Sequence, residues 1–456
     1  MHTDPRERLN QSDMTRLQYV VVALTVALNA LDGFDVLAIS FASPGIAAEW
    51  GTTRAALGFI LSAELWGMAM GSVALGGIAD SIGRKPTILG CLFVMVIGMF
   101  MVTLTSNLYV LCAWRVLTGI GIGGMLAAIN AQAAEFSNNR NRATAVAIMS
   151  AGYPIGGVVG GAIVSPLLES FDWRIVFYFG TAATALMIPL VMYLMPESIH
   201  WLVRKKPDNA LQRINAVLTT LGHRIVELVP DVRVEEKGRA WIDLFSKRYI
   251  LTTILLAACY FLHIATFYFI LKWVPDIVTR IMGFPPSAAG GVVTMASVGG
   301  LLGCLAFAYI GRSANLRRLT LATFVLSWIA TIIFGYVPAN LAVISFTVLC
   351  TGFFINAGIV GMYTLAAQLF PTHLRASGTG FTIGVGRGGS MLSPILAGFL
   401  FQADMALPTV ALIMATGSIL AAAALFFLKV DSDTPHSGGA RVTDEAQRHA
   451  GQPARA

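Results

Sequence analysis

A chain of 456 residues that is 56% hydrophobic and only 12% charged, with a mean hydropathy of +0.72, is not a soluble globular protein, whose charged fraction would be about twice as large. The composition calls for a polytopic membrane protein, and the net charge of +7 then follows from membrane topology rather than from a nucleic-acid partner. Five cysteines (Cys91, Cys112, Cys259, Cys304 and Cys350) stand singly in apolar segments. Without a C-x-x-C pair or metal-ligand spacing they read as small apolar side chains, and no metal site is expected.

Residues 1–16 form a polar N-terminal tail without the features of a cleavable leader. Twelve apolar runs follow, near 17–42, 55–78, 86–105, 109–133, 142–168, 174–195, 249–274, 287–310, 317–336, 340–368, 374–403 and 406–429. A membrane-crossing helix needs about 20 such residues. The polar segment 196–248, with a helical pattern near Ala210–Leu221, divides six runs from six. It reads as a cytoplasmic linker between an N-terminal bundle, 17–195, and a C-terminal bundle, 249–429. Residues 430–456, rich in Gly, Pro, Ser and charge, have the composition of a disordered tail. Of the 31 basic residues, Arg54, Arg174 and Arg280 fall on one side and Arg115, Lys272 and Arg387 within spans. All the others share the side of the two termini, which is therefore expected to face the cytoplasm.

The halves repeat. Arg84-Lys85 and Arg317-Arg318 are 233 residues apart, as are Arg142 and Arg375, and Ala133-Ala134-Glu135 and Ala366-Ala367-Gln368. Matches at one offset without gaps imply duplication, and parallel repeats of this size imply a substrate site at their interface with rocking alternating access.

In span 1, Asp32 and Asp35 share one helix face. They are either interfacial aspartates reaching for water or a pair facing a polar cavity that takes up a proton or ligand; the cost of a buried charge favours the second. Glu64 in span 2 suits a proton site or a partner for Arg115 in span 4. Arg115 itself requires a carboxylate or a cavity, and Asp32, Asp35 and Glu64 are its natural partners. Arg387, within Gly384-Val385-Gly386-Arg387-Gly388-Gly389 of span 11, suits a carboxylate ligand through two parallel hydrogen bonds. Lys272 in span 7 either snorkels or touches substrate. His263 is a packing histidine or a proton relay. Tyr268, with Tyr260, Phe261, Phe267 and Phe269, lines a pocket for a planar substrate or faces lipid. Gly119-x-Gly121-x-x-Gly124 and Gly384-x-Gly386-x-x-Gly389 match a dinucleotide fingerprint but follow no strand. In spans such glycines allow close helix packing.

Gly76-Gly77-Ile78-Ala79-Asp80-Ser81-Ile82-Gly83-Arg84-Lys85, between spans 2 and 3, resembles the signature loop of the major facilitator superfamily, with Ser81 where a basic residue is usual. In the second half Ser313 and Leu316 replace its aspartate and glycine. The resemblance implies a conformational latch of Asp80, Gly83 and Arg84. Glu135 and Arg142, and Pro371 and Arg375, bracket equivalent loops and read as further latch salt bridges. The R-x-x-x-G of Arg115–Gly119, the glycine-proline stretch at Gly152–Gly157 and Pro196-Glu197-Ser198-x-x-Trp201-Leu202 are similar to other motifs of that superfamily.

The D-G-F-D of span 1, the G-R-G-G of span 11 and Leu369-Phe370-Pro371-Thr372-His373-Leu374-Arg375-Ala376-Ser377-Gly378 resemble the aromatic acid:proton symporter family. The fold so implied is all-α, twelve transmembrane helices in two six-helix repeats. The function implied is uptake of a small aromatic carboxylate with protons across the bacterial inner membrane. Asp32, Asp35, Glu64 and Arg115 would couple protons; Arg387, Lys272, His263 and Tyr268 would meet substrate. A monomer without cofactors, driven by the proton gradient, is expected. The rivals are a porter of another organic anion, an exporter and a non-translocating sensor. An enzyme is disfavoured, because the sequence offers no nucleophile–base pair.

Overall fold

The computed structural model describes residues 4–230, 243–370 and 372–428; the proposed disordered tail and part of the linker lie outside them. A short α1 (Pro5–Gln11) precedes six long helices: α2 (Arg16–Trp50), α3 (Arg54–Ile82), α4 (Arg84–Thr103), α5 (Leu108–Glu135), α6 (Arg142–Ser170) and α7 (Arg174–Leu194). The linker contributes α8 (Ile199–Lys205) and α9 (Ala210–Thr220). Six more long helices follow: α10 (Ile250–Asp276, prolonged by a π-helical turn at Ile277–Ile281), α11 (Pro286–Ile310), α12 (Leu316–Gly335), α13 (Leu341–Leu369), α14 (Thr372–Gln402) and α15 (Leu407–Phe427). Helices answer the bilayer's demand that every backbone polar group find its partner within the segment. Several of their ends opposite the chain termini carry side-chain caps, such as Thr53 Oγ1 accepting from Ala56 N at 3.2 Å and Asn107 Oδ1 accepting from Tyr109 N at 2.8 Å.

Among the described residues, eleven of the twelve long helices are apolar enough to cross a membrane by length and composition. The exception is α14, 31 residues long, whose glycines, hydroxyls and arginines lower its hydropathy. It packs between α10 and α3, so protein rather than lipid covers much of it.

The duplication reappears in the boundaries. α5 and α13 begin at Leu108 and Leu341, and α7 and α15 at Arg174 and Leu407, at the same spacing of 233. Packing repeats too: α2–α6, α3–α5, α4–α7 and α2–α7 in the first half correspond to α10–α14, α11–α13, α12–α15 and α10–α15 in the second. The halves meet along α2–α10, α3–α14 and α6–α11. Under the first half, α1, α8 and α9 share one apolar cluster with it, made by Leu9, Val21, Phe136, Trp201, Ile214 and Leu218. The start of the linker is thereby built onto that half.

Across the seam Arg54 N donates to Gln402 Oε1 (3.2 Å) and Arg387 Nη1 to Met68 O (2.8 Å). Gly58 backs directly onto α14: a β-carbon there would lie 2.6 Å from Pro394 O and 3.2 Å from Ile395 Cα. These contacts run from the helix middles to the face opposite the chain termini, and that face is closed. Gly58→Leu would meet main chain rather than a yielding side chain. The variant is expected to fold, because packing within each half is untouched, yet to fail to close this face. Retained helical circular dichroism with lost substrate uptake is the expected pair of measurements.

Candidate substrate and proton site

The site grows from charges that the helix register brings to the middle of the first half. Asp32 and Asp35 on α2 are 1% and 0% exposed, and none of their four carboxylate oxygens has a hydrogen-bond partner among the described residues. The interfacial reading of this pair is therefore wrong; both are sealed within protein. Asp35 looks toward α7, where a β-carbon on Gly180 would lie 3.4 Å from its Oδ1. The charged groups around Asp32 include Asp35, Glu64 and, from the second half, Arg387.

Arg115, fully buried on α5, forms an ion pair with Glu64 of α3. It also donates from Nη2 to the Asp35 carbonyl (2.9 Å) and from Nη1 to Met99 Sδ (3.2 Å), with its guanidinium 5.5 Å from the centre of the Phe177 ring. Of the three acids open to it from sequence, Glu64 is the one whose carboxylate it holds. Lys272 on α10 is equally buried; it donates to the Val36 carbonyl of α2 and lies 3.6 Å from Glu64 Oε2. It does not snorkel. Asp32, Asp35 and Glu64 thus face Arg115, Lys272 and Arg387, a set without net charge when every member is ionised.

Beside these charges a cleft opens at the seam. Leu37, Tyr153 and Pro154 line it from the first half, and Phe267, Ile270, Leu271, Ser297, Ile355 and Asn356 from the second. It is apolar with a few polar groups, as sites for small organic ligands are, but in this conformation it is a narrow space of about 20 Å³, room for a water rather than for a ring. Tyr268 lies beside Tyr153, and Tyr260 hydrogen-bonds Tyr363 hydroxyl to hydroxyl at 2.9 Å. Of the aromatic residues singled out in span 7, Phe267 lines the cleft. His263 is set apart, with Nδ1 at 3.0 Å from Ser418 Oγ and Nε2 at 3.0 Å from the Ile355 carbonyl; both ring nitrogens are occupied by the protein. Sequence reasoning missed Tyr153, Ser297 and Asn356. Asn356 alone carried a signal, as an amide in the otherwise apolar Phe353-Phe354-Ile355-Asn356-Ala357.

The latch residues cluster where α3 ends and α4 starts. Arg84 meets Asp80 (3.1 Å) and Glu135 (3.1 Å), while Asp80 also binds Arg204 of α8 (2.7 Å) and Glu135 the hydroxyl of Ser198. Gly83 has φ +116°, a region open to glycine, and a β-carbon there would overlap the Glu197 carboxylate. Glu197 Oε1 accepts from Arg84 N (2.9 Å) and Ser198 N (2.8 Å); burial pushes its pKa up, against the pull of those N–H groups. Arg142 turns to the Ala134 carbonyl (3.1 Å) and Asn10 (2.5 Å) and, among the described residues, forms no ion pair with Glu135. The side chain of Arg375 lies outside the described ones.

Two stability outcomes follow from these geometries. Arg115→Leu leaves Glu64 with Lys272 as its cation and the buried cluster with one uncompensated negative charge, costing about 3–5 kcal/mol. Arg115→Lys should recover little, since one ammonium cannot reproduce the fork that reaches both α2 and α3. Thermal unfolding in detergent reads both. Glu197→Ala should cost about 1–3 kcal/mol by orphaning buried N–H groups at the latch, and Glu197→Gln, which keeps an acceptor there, clearly less.

Comparison with known proteins agrees with this architecture. A family model described as Major Facilitator Superfamily matches residues 25–382. The chain is similar to the 4-hydroxybenzoate transporter PcaK of Acinetobacter baylyi, 28% identical over 432 residues and 93% of each chain. It is also similar to the gallate transporter of Pseudomonas putida, 26% identical over 92% of this chain and 94% of the other. Among solved structures, the inward-open xylose transporter XylE from E. coli superposes with a TM-score of 0.70 at 16% identity, covering 91% of this chain and 98% of its own. An inward-facing bacterial homologue of the human lysosomal transporter Spinster reaches 0.68 at 17% identity, over 91% and 97%. At such identities the likeness shows the fold. The match over most of the length, the twelve-helix duplication and the signature loop agree: the chain belongs to the major facilitator superfamily, whose members are transporters rather than enzymes.

Proposed function

We propose that the protein imports a small aromatic carboxylate together with protons, by alternating access, as a monomer in the cytoplasmic membrane with both termini inside. The observation that carries this reading is the pair of buried aspartates without hydrogen-bond partners, set in a cluster whose charges cancel. A carboxylate accepting no hydrogen bond in a sealed site is poised to take a proton. The relatives named for 4-hydroxybenzoate and gallate point to the substrate class, and Tyr153 and Phe267, which line the narrow seam cleft, would flank a flat ring once the halves part. Arg387 spends one nitrogen on Met68 O and keeps others for a carboxylate. The face opposite the termini is closed, as the proposed cycle requires when substrate is released on the side of the termini.

Charge accounting favours a stoichiometry of one proton. A monocarboxylate entering a neutral buried cluster leaves an uncompensated negative charge, which is costly in such surroundings. One proton on Asp32 or Asp35 removes it. The exchange is then electroneutral, one proton per carboxylate.

Labelled 4-hydroxybenzoate and benzoate offered to proteoliposomes test this. Accumulation should follow an inward proton gradient, with one proton taken up per molecule and no response to membrane potential. Asp32→Asn should abolish accumulation while exchange of internal for external substrate continues. Accumulation undiminished in Asp32→Asn would remove that aspartate from the coupling, and failure to accumulate any aromatic acid would overturn the substrate class. Gradient-driven loss from loaded vesicles would mark an exporter.

A further inference from the structure

Lys272 belongs to the second half, yet both groups that hold its ammonium belong to the first: the Val36 carbonyl on α2 and Glu64 on α3. It sits in the closed part of the seam and is wholly shielded from solvent. Rocking of one half against the other, as proposed above, carries α10 away from α2 and α3 when this face opens, and both contacts must then break. Glu64 keeps a cationic partner, because Arg115 rides on α5 of the same half. Lys272 keeps none among the groups that hold it here. A lysine ammonium has three donors and no acceptor, and at the rim of a desolvated cleft it calls for an anion.

Resting on that reading of the protein as a carboxylate importer, we propose that Lys272 exchanges partners once per cycle. Glu64 and the Val36 carbonyl hold it while the face opposite the termini is closed, and the carboxylate of the substrate holds it while that face is open. Closing the face returns the lysine to Glu64, so the substrate, held by Arg387, loses this second cation in the state from which it must leave. Glu64 is then a competitor of the substrate as well as the counter-ion of Arg115. The arrangement makes affinity depend on which face is open, which a fixed binding lysine would not.

The test is KM for 4-hydroxybenzoate measured separately from each face, in right-side-out and inside-out membrane vesicles, for wild type, Lys272→Met, Lys272→Arg and Glu64→Gln. Loss of a charged hydrogen bond corresponds to about tenfold or more in affinity. Lys272→Met should therefore raise KM about tenfold from the face opposite the termini and leave KM from the termini face unchanged or lower. Lys272→Arg should restore much of the loss. Glu64→Gln, which leaves the lysine without its competing carboxylate, should lower KM from the termini face; this arm decides the matter even where Lys272→Met does not insert. An equal rise at both faces would show a fixed substrate ligand, and a lowered Vmax with both KM values intact would show a mere strut; either overturns the proposal. Failure of the wild type to transport any carboxylate would instead sink the reading on which it rests.

Discussion

The ion pair between Glu64 and Arg115 is the constraint from which the rest of the core follows. Neither group tolerates lipid-like surroundings alone, so α3 and α5 must stay close enough for the guanidinium to reach the carboxylate. Small residues allow that approach: a β-carbon on Gly119 would overlap the Glu64 carbonyl, and one on Gly67 the Val116 carbonyl. Because Arg115 also binds the Asp35 carbonyl, the same cation holds the acid-bearing stretch of α2 in register. Three helices are fixed by one side chain, and the two aspartates hang on the positions it sets.

The duplicated halves have divided their labour. Moving 233 residues along the chain takes Glu64 to Ser297, Arg115 to Val348 and Asp35 to Tyr268. The second half thus lacks the carboxylate cluster and contributes ring, hydroxyl and aliphatic side chain where the first contributes charge. The same step takes Pro154 to Arg387, so equivalent places in α6 and α14 carry a cleft wall on one side and a cation on the other. At the latch, Arg317 replaces Arg84 but caps the Phe426 carbonyl (2.6 Å) instead of meeting acids. The linker deepens this difference, since α8 supplies Arg204 and Trp201 to the first half's latch.

The membrane architecture was readable in the sequence because hydropathy needs no tertiary context and a gapless offset survives in the chain as plain arithmetic. Arg115's need for an acid was readable for the same reason: burial of a charge is legible wherever the run around it is apolar. What stayed hidden depends on rotation about helix axes. A lysine near the end of an apolar run snorkels or not according to which face looks at the other half, and the periodicity of α10, apolar on every side, does not mark that face. The partner of Glu135 was missed because Arg142 is close in sequence whereas Arg84 is close in space. Tyr153 looked like part of a glycine-proline packing motif until the seam placed it in the cleft.

Gly58 meeting the main chain at Pro394 has a meaning beyond close packing. At Gly58 itself, parting that seam would bare a peptide carbonyl and a glycine, both of which water hydrates readily, in place of aliphatic groups whose wetting would cost free energy in proportion to area. In the proposed cycle the two arrangements would therefore lie close in free energy before any ligand arrives. A population balance of that kind would be tipped by the few kcal/mol that the proposed carboxylate and proton supply. A zipper of leucines in the same place would make a tighter closure and a slower machine.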